Sequence, residues 1–326
     1  MKDLNAMMRM LTLGALVVIA APGAAQENYP NKPIRMIVAF PPGGSTDPIA
    51  RLIGEKLTES WSQQVLIDNR PGGNTVIGTE ALAKSAPDGY SMLAATSTFV
   101  ISPHLVRNLP YDIFNDFAPV ATLTITEMVL VLNALVPAND LRELIALAKS
   151  KPGQLNCASS GTGSANHLAS EFFNIQAGIK TQHIPYKGGG QVLADLLGGV
   201  VQMAFSPPLA FLPHIKSGKL KPIAVSGESR HPALPQVPTF TEAGLPGYSI
   251  GYWIGVLAPA GTPKAVVDKL SSAIGKILAV PDTREKIAAQ GMAPFITNPE
   301  QFTALLKADT SKWGKVIKEA NIKLEQ

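Results

Sequence analysis

Cysteine is almost missing from this 326-residue chain: Cys157 stands alone, so no internal disulfide can form. Its setting, LNCASS, reads as a buried strand, which makes packing rather than thiol chemistry its expected role. Charge is sparse too. Asp, Glu, Lys and Arg make up 16% of the residues against 46% hydrophobic ones, which excludes a disordered chain and leaves enough apolar surface for a large core in two domains. No run or stripe of Lys and Arg occurs, so nucleic acid is not an expected partner.

Catalytic signatures are equally scarce. There is no Gly-x-Ser-x-Gly elbow, and His104, His167, His183, His214 and His231 show no i, i+3 or i, i+4 pairing and no His-Glu-x-x-His spacing. The expectation is a non-enzyme with no metal and no cofactor. A secreted hydrolase, its Ser and His brought together only in space, is the alternative from another class.

Long apolar runs are also absent. The longest candidate, Met10 to Ala21, follows Lys2 and Arg9 and precedes PGAAQ, with small residues at Gly23 and Ala25. It falls short of the roughly 20 residues that span hydrocarbon, so residues 1–25 read as a signal peptide cleaved after Ala25 rather than as an anchor. Removal leaves 26 basic and 23 acidic side chains, a formal charge of +3, on a mature protein expected to be soluble outside the cytoplasm, in a bacterial periplasm.

What the sequence does contain is alternation. PIRMIVAF, QQVLIDN and PDGYSML are strand-length runs separated by helix-length segments, the pattern of an α/β chain with largely parallel sheets. Strands are also expected in LNCASS, KTQHIPY, VVQMAFS and LKPIAVSG, with helices in DLRELIALAKS, after GTGSANH and in GGQVLADLLGG. YSIGYWIGVLAPAGTP reads as an extended crossover, and three amphipathic helices close the chain, the last holding Trp313. Two hinged halves would cross near Thr126 and near Tyr248, giving lobe 1 over 26–126 and 249–326, lobe 2 over 127–248, and a cleft between them.

Two glycine loops carry the chemistry. In AFPPGGSTDPIARL, Gly43 and Gly44 let a ligand approach the backbone, while the amides of Gly44, Ser45 and Thr46 lie at a helix's positive end. Asp47 before Pro48 reads as the helix cap, and the Lys of a phosphate loop is missing. SSGTGSANH repeats the device with Ser159, Ser160, Thr162 and Ser164. Its Gly161-Thr162-Gly163-Ser164-Ala165-Asn166 is a poor dinucleotide fingerprint, with Asn in the third glycine's place. Each is expected to be an uncharged anion nest. A plain tight turn and an ordinary strand-to-helix loop are the bland readings. Thr96 and Ser97 in ATSTFVIS, Tyr186 and Lys187 in PYKGGG, and Ser206 at the end of VQMAFS complete the expected rim. His167 is expected to cap or pack rather than catalyse.

These segments together resemble the substrate-binding proteins of tripartite tricarboxylate transporters, the Bordetella uptake gene or TctC family. The resemblance runs from Tyr29 to the C-terminus through PPGGSTD, NRPGG, PDGY, LPYD, SSGTGSANHLASE, PYKG, DLLGG, SGKLKPIAV, LPQVPTFTEAGLPGY, APAGTP and KWGKVIKEANI. It implies a two-lobed periplasmic binding protein of the type II, Venus-flytrap form, monomeric, which closes on a small carboxylate and delivers it to membrane permease subunits. A ligand-presenting component of a signalling system is the alternative within the binding class. It further implies that the loop Phe40, Pro41, Gly43, Gly44, Ser45, Thr46 holds one carboxylate through backbone groups, and that Thr96, Ser97, Ser159, Ser160, Gly163, Ser164, Tyr186 and Lys187 contribute to the pocket. Two positions depart from the family pattern. Gly189, Gly190, Gln191 and Val192 replace a small-Pro-Ala pattern, and Ser206 stands where many relatives carry Asp. Ser206 offers no charge to a ligand amine, which points to a di- or tricarboxylate without an amine, or to an aromatic carboxylate.

Overall fold

The computed structural model of the protein describes residues 29–43, 45–186 and 188–322. The expected signal peptide, Gly44 and Lys187 lie outside the described residues. Strand β1 (Ile34–Val38) is followed by helix α1 (Thr46–Trp61), β2 (Val65–Asn69), α2 (Val76–Ala83), β3 (Ser91–Thr96) and α3 (Thr98–Leu105). Then β4 (Phe117–Glu127) and β5 (Val129–Asn133) follow with one residue between them. The chain continues through α4 (Leu141–Ser150), β6 (Asn156–Ser159), α5 (Ala165–Ala177), β7 (Gln182–Pro185), α6 (Gly189–Leu197), β8 (Met203–Ser206), α7 (Leu212–Lys216) and β9 (Leu220–Val225). It ends with β10 (Gly251–Pro259), α8 (Lys264–Ala279), α9 (Pro281–Ala289), β11 (Ala293–Pro294) and α10 (Pro299–Glu319).

The strands form two sheets, ordered β11-β4-β10-β3-β1-β2 and β7-β6-β8-β5-β9. Both are mixed, which corrects the expectation of largely parallel sheets: β2-β1-β3 and β7-β6-β8 are parallel, while β10, β4 and β11, like β5 and β9, pair antiparallel with their neighbours. Within the expected crossover YSIGYWIGVLAPAGTP, Gly251–Pro259 is β10, a strand inside the first sheet with Trp253 to Ala258 buried. Its near-continuous apolar run is what a strand covered on both faces requires. Gly255 sits there because a Cβ would come within 2.5 Å of Phe302 on α10.

Alternation along β5 divides its side chains between two cores. Leu130 and Leu132 join a large core continuous with the first sheet, while Val129 and Val131 join a second core with Val192, Leu196 and Phe211. Between β4 and β5 the chain passes through Met128, and it returns through Ile250. Ser226 ties these two crossings together. Met128 N–H donates to its Oγ (2.8 Å), that Oγ donates to Ile250 O (2.6 Å), and Ser226 N–H donates to Met128 O (2.8 Å). The Ser226 side chain is fully buried.

Candidate ligand-binding site

Strand direction decides where the predicted loops go. In the first sheet Gly251 at the start of β10 pairs with Glu127 at the end of β4, and Ile254 pairs with Thr96 at the end of β3. The C-terminal ends of β1, β2 and β3 therefore share an edge with the two crossings. In the second sheet Val129 at the start of β5 pairs with both Ser206 and Val225, and β6 runs parallel to β8. The ends of β6, β7 and β8 thus share the edge that meets those same crossings. The loops after β1, β2 and β3 face the loops after β6, β7 and β8 across a cleft, where open α/β sheets bind ligands. One cavity of about 260 Å³, lined by Asn133, Leu135, Val136, Lys151, Gln154 and Gln202, lies at the opposite edge of the second sheet, away from all of these loops.

The loop after β1 is held by side chains from its neighbours. Pro41, Gly43 and Ser45 are exposed, Phe40 is half-buried, and Thr46 is buried with its hydroxyl 3.4 Å from Tyr252 Oη. Asp47 is not the helix cap it was expected to be. The N-cap is Ser45, whose side chain makes no cap bond, and Asp47 is the second helical residue. Its buried carboxylate turns backward instead and accepts from Gly43 N–H (3.2 Å), Asn69 Nδ2 (2.9 Å) and Arg51 Nε (2.9 Å). Burial pushes that carboxyl upward, yet the hydrogen bonds from Arg51, Asn69 and Gly43 outweigh it and hold the group below the usual range. Asn69 also donates to Phe40 O (3.1 Å), so both ends of the turn are pinned. Gly43 has φ +80°, and a Cβ there would meet no atom within 4 Å, so its outer face is open space.

Thr96 and Ser97 end β3 beside this loop. Thr96 Oγ1 accepts from Thr98 N–H (3.3 Å), and Ser97 Oγ accepts from Trp253 N–H (3.2 Å), so Ser97 fastens the turn to β10. The expected loop ATSTFVIS is mostly helix, since α3 starts at Thr98.

The loop after β6 is bonded to itself, which corrects the expectation of a nest with free amides. Gly161 N–H donates to Ser159 Oγ (3.1 Å), Ser160 N–H reaches Asn166 Oδ1 (3.4 Å), Gly163 N–H donates to His167 Nδ1 (3.0 Å), and Ser164 N–H donates to Gly161 O (3.1 Å). The hydroxyls of Ser160 (2.9 Å) and Ser164 (2.7 Å) both donate to Asn166 Oδ1. Ser164 is the cap of α5, accepting from His167 N–H. Behind the loop lies a pair that the sequence spacing hid. The His167 and His183 rings stack with centroids 3.6 Å apart, and His183 Nε2 shares a 2.6 Å hydrogen bond with Ser159 Oγ. Burial lowers His167 to about 3, helped by the neighbouring His183, and lowers His183 to about 4. Glu171, 3.7 Å from His167 Nε2, is pushed up by burial, so both partners are shifted away from their charged forms.

Tyr186 follows β7, but its hydroxyl donates to Asp195 on α6 (2.6 Å), and burial raises it to about 12. Ser206 is half-buried at the end of β8. Among the described residues no group of three His, Cys, Asp or Glu side chains is arranged to hold a metal. Cys157 is fully buried on β6, where desolvation raises its thiol to about 12, so it packs as expected. Asn69, Arg51, Tyr252 and His183 escaped the sequence reading. Asn69, Tyr252 and His183 lie far along the chain from their partners, Arg51 is one turn on from Asp47 in α1, and only the capped-helix signal at Asp47 hinted that a donor set had to gather there.

The tripartite tricarboxylate transporter family receptor model matches residues 49–322. Protein BugT of Bordetella pertussis is 39% identical over 309 residues, covering 94% of each chain. Among solved structures, R. palustris Rpa4515 with adipate resembles this fold at TM-score 0.84 and 33% identity, covering 91% of this chain and 100% of that one. MatC from Rhodopseudomonas palustris with bound malate does so at 0.78 and 30%, covering 89% and 100%. With that family match over most of its length and two sheets whose loop edges meet at a common cleft, the chain belongs to the tripartite tricarboxylate transporter family of receptors.

Proposed function

We propose that this protein is a periplasmic receptor, not an enzyme, that captures a small di- or tricarboxylate or aromatic carboxylate and hands it to the permease subunits of a tripartite transporter. Residues 1–25 direct export, residues 26–126 with 249–326 form one lobe, 127–248 form the other, and the mature protein acts as a monomer. The observation that carries the reading is the turn after β1. Its backbone is pinned at Phe40 and Gly43, its outer face at Gly43 is open, and it precedes the positive end of α1. Such a turn offers an anion donors that need no reorganisation. The adipate and malate held by the related proteins make dicarboxylates the first candidates.

Hydrogen bonds to charged groups contribute about 1.5–3 kcal/mol each, so a handful supplies the roughly 8 kcal/mol of a micromolar complex. Isothermal titration of the purified protein with succinate, malate, adipate, citrate and benzoate tests the assignment. At least one acid should bind at micromolar concentration, and Gly43→Trp, which fills the open face, should weaken it tenfold or more. Failure of every carboxylate to bind the wild type refutes the receptor reading. Unchanged affinity in Gly43→Trp refutes the site.

A further inference from the structure

The loop after β2, between Asn69 and α2, carries an unusual backbone. Gly72, Gly73, Asn74 and Thr75 take φ of 125°, 56°, 53° and 77° in succession. A β-branched residue with positive φ is a genuine outlier, and such outliers gather where a side chain must be aimed. Thr75 occupies the N-cap of α2, where a threonine hydroxyl ordinarily accepts from the first turn. In its left-handed conformation it makes no such bond. The residue is 7% exposed, and its Oγ1 is buried without a partner, as is Asn74 Nδ2. Thr75 instead lines a cavity of about 10 Å³ with Phe40, Thr96, Thr79 and Phe99, space for one oxygen-sized group. That cavity also touches Ala39, Leu93, Ala94 and Ala95, so it lies between β1, β3, α2 and α3, just behind the C-terminal ends of the two strands.

We propose that Asn74 and Thr75 are a second donor pair for the ligand carboxylate on the first lobe, with Thr75 reaching the group through the cavity it shares with Phe40 and Thr96. An amide N–H cannot accept, so a group that satisfies Asn74 must be an acceptor. An ionised carboxylate offers only acceptors and takes a hydroxyl donor beside it. The strained backbone is what turns the Thr75 hydroxyl away from capping α2 and toward the guest.

The inference rests on the carboxylate reading above, and Asn74→Gly and Thr75→Val test it with adipate and malate as probes. Glycine adopts the φ of Asn74 without a Cβ penalty, so Asn74→Gly should melt at or above the wild-type temperature. Valine keeps the shape and β-branching of Thr75 and removes only the hydroxyl. Both variants should lose at least tenfold in affinity for the acid that the wild type binds, while Asn74→Gly keeps its stability. Wild-type affinity within twofold in both variants overturns the donor pair and leaves the receptor reading standing. A loss of affinity matched by a loss of melting temperature in both marks a structural role and overturns it as well. A wild type that binds neither these acids nor any other carboxylate removes the receptor reading and this inference together.

Discussion

Acidification should destabilise the protein through the stacked imidazoles behind the second lobe's loop. His167 lies near pKa 3 in the folded chain and His183 near 4, both below the ordinary 6.5, because burial penalises the charged ring. The sign follows directly. Above pH 6.5 both rings are neutral folded or unfolded and contribute no dependence. Between 6.5 and about 4 the unfolded chain binds protons that the folded chain refuses, so stability falls as pH falls. Each histidine gives at most about 1.4 kcal/mol per pH unit. His167 is 4% exposed and should give nearly that slope, about 2–3 kcal/mol between pH 6 and 4. His183 is half-buried and should give less, because solvent screens it. Protonation at His167 Nδ1 would also place a donor against the Gly163 N–H that it now receives. Urea unfolding at pH 7, 6, 5 and 4, followed by tryptophan fluorescence, should show this slope in the wild type. His167→Asn keeps an acceptor near Gly163 and cannot titrate, so its slope should be shallower by about the His167 share. Equal slopes in the two proteins would refute the reasoning.

Two further perturbations test the scaffold around the cleft. Asp47→Ala removes the acceptor of Gly43, Asn69 and Arg51; it should cost about 2–4 kcal/mol in chemical denaturation and weaken carboxylate binding, whereas intact stability would show that the turn is rigid without it. Ser226→Ala leaves the buried Met128 N–H without its acceptor and unties the two crossings, for an expected loss of about 1–3 kcal/mol; hydrogen exchange at Met128 and Ile250 should quicken, and unchanged protection there would count against a tie at the crossings.

The α/β class and the two glycine loops were legible because their signals are local. Strand-length apolar runs, the Gly43 turn and the start of a helix near Ser164 are each written within a few residues. The mixed sheets were less so. β10 is apolar on both faces and so shows no period, and its antiparallel insertion between β3 and β4 depends on what covers it, not on its own sequence. Asp47 shows the same limit at one residue. Asp followed by Pro carries the mark of a cap, but the carboxylate went to Gly43, Asn69 and Arg51, a donor set more favourable than the amides of its own helix.

By itself the sequence determined the kind of chain this is, its family and where its glycine turns fall, since periodicity, glycine placement and helix starts are properties of neighbouring residues. Only the tertiary structure decided which side chains meet. His167 and His183 stack across two elements, Ser226 joins Met128 to Ile250, and Thr75 comes to share a cavity with Phe40 and Thr96. Those pairings are set by the packing of elements distant in the chain, and no local pattern encodes the direction in which a strained threonine points its hydroxyl.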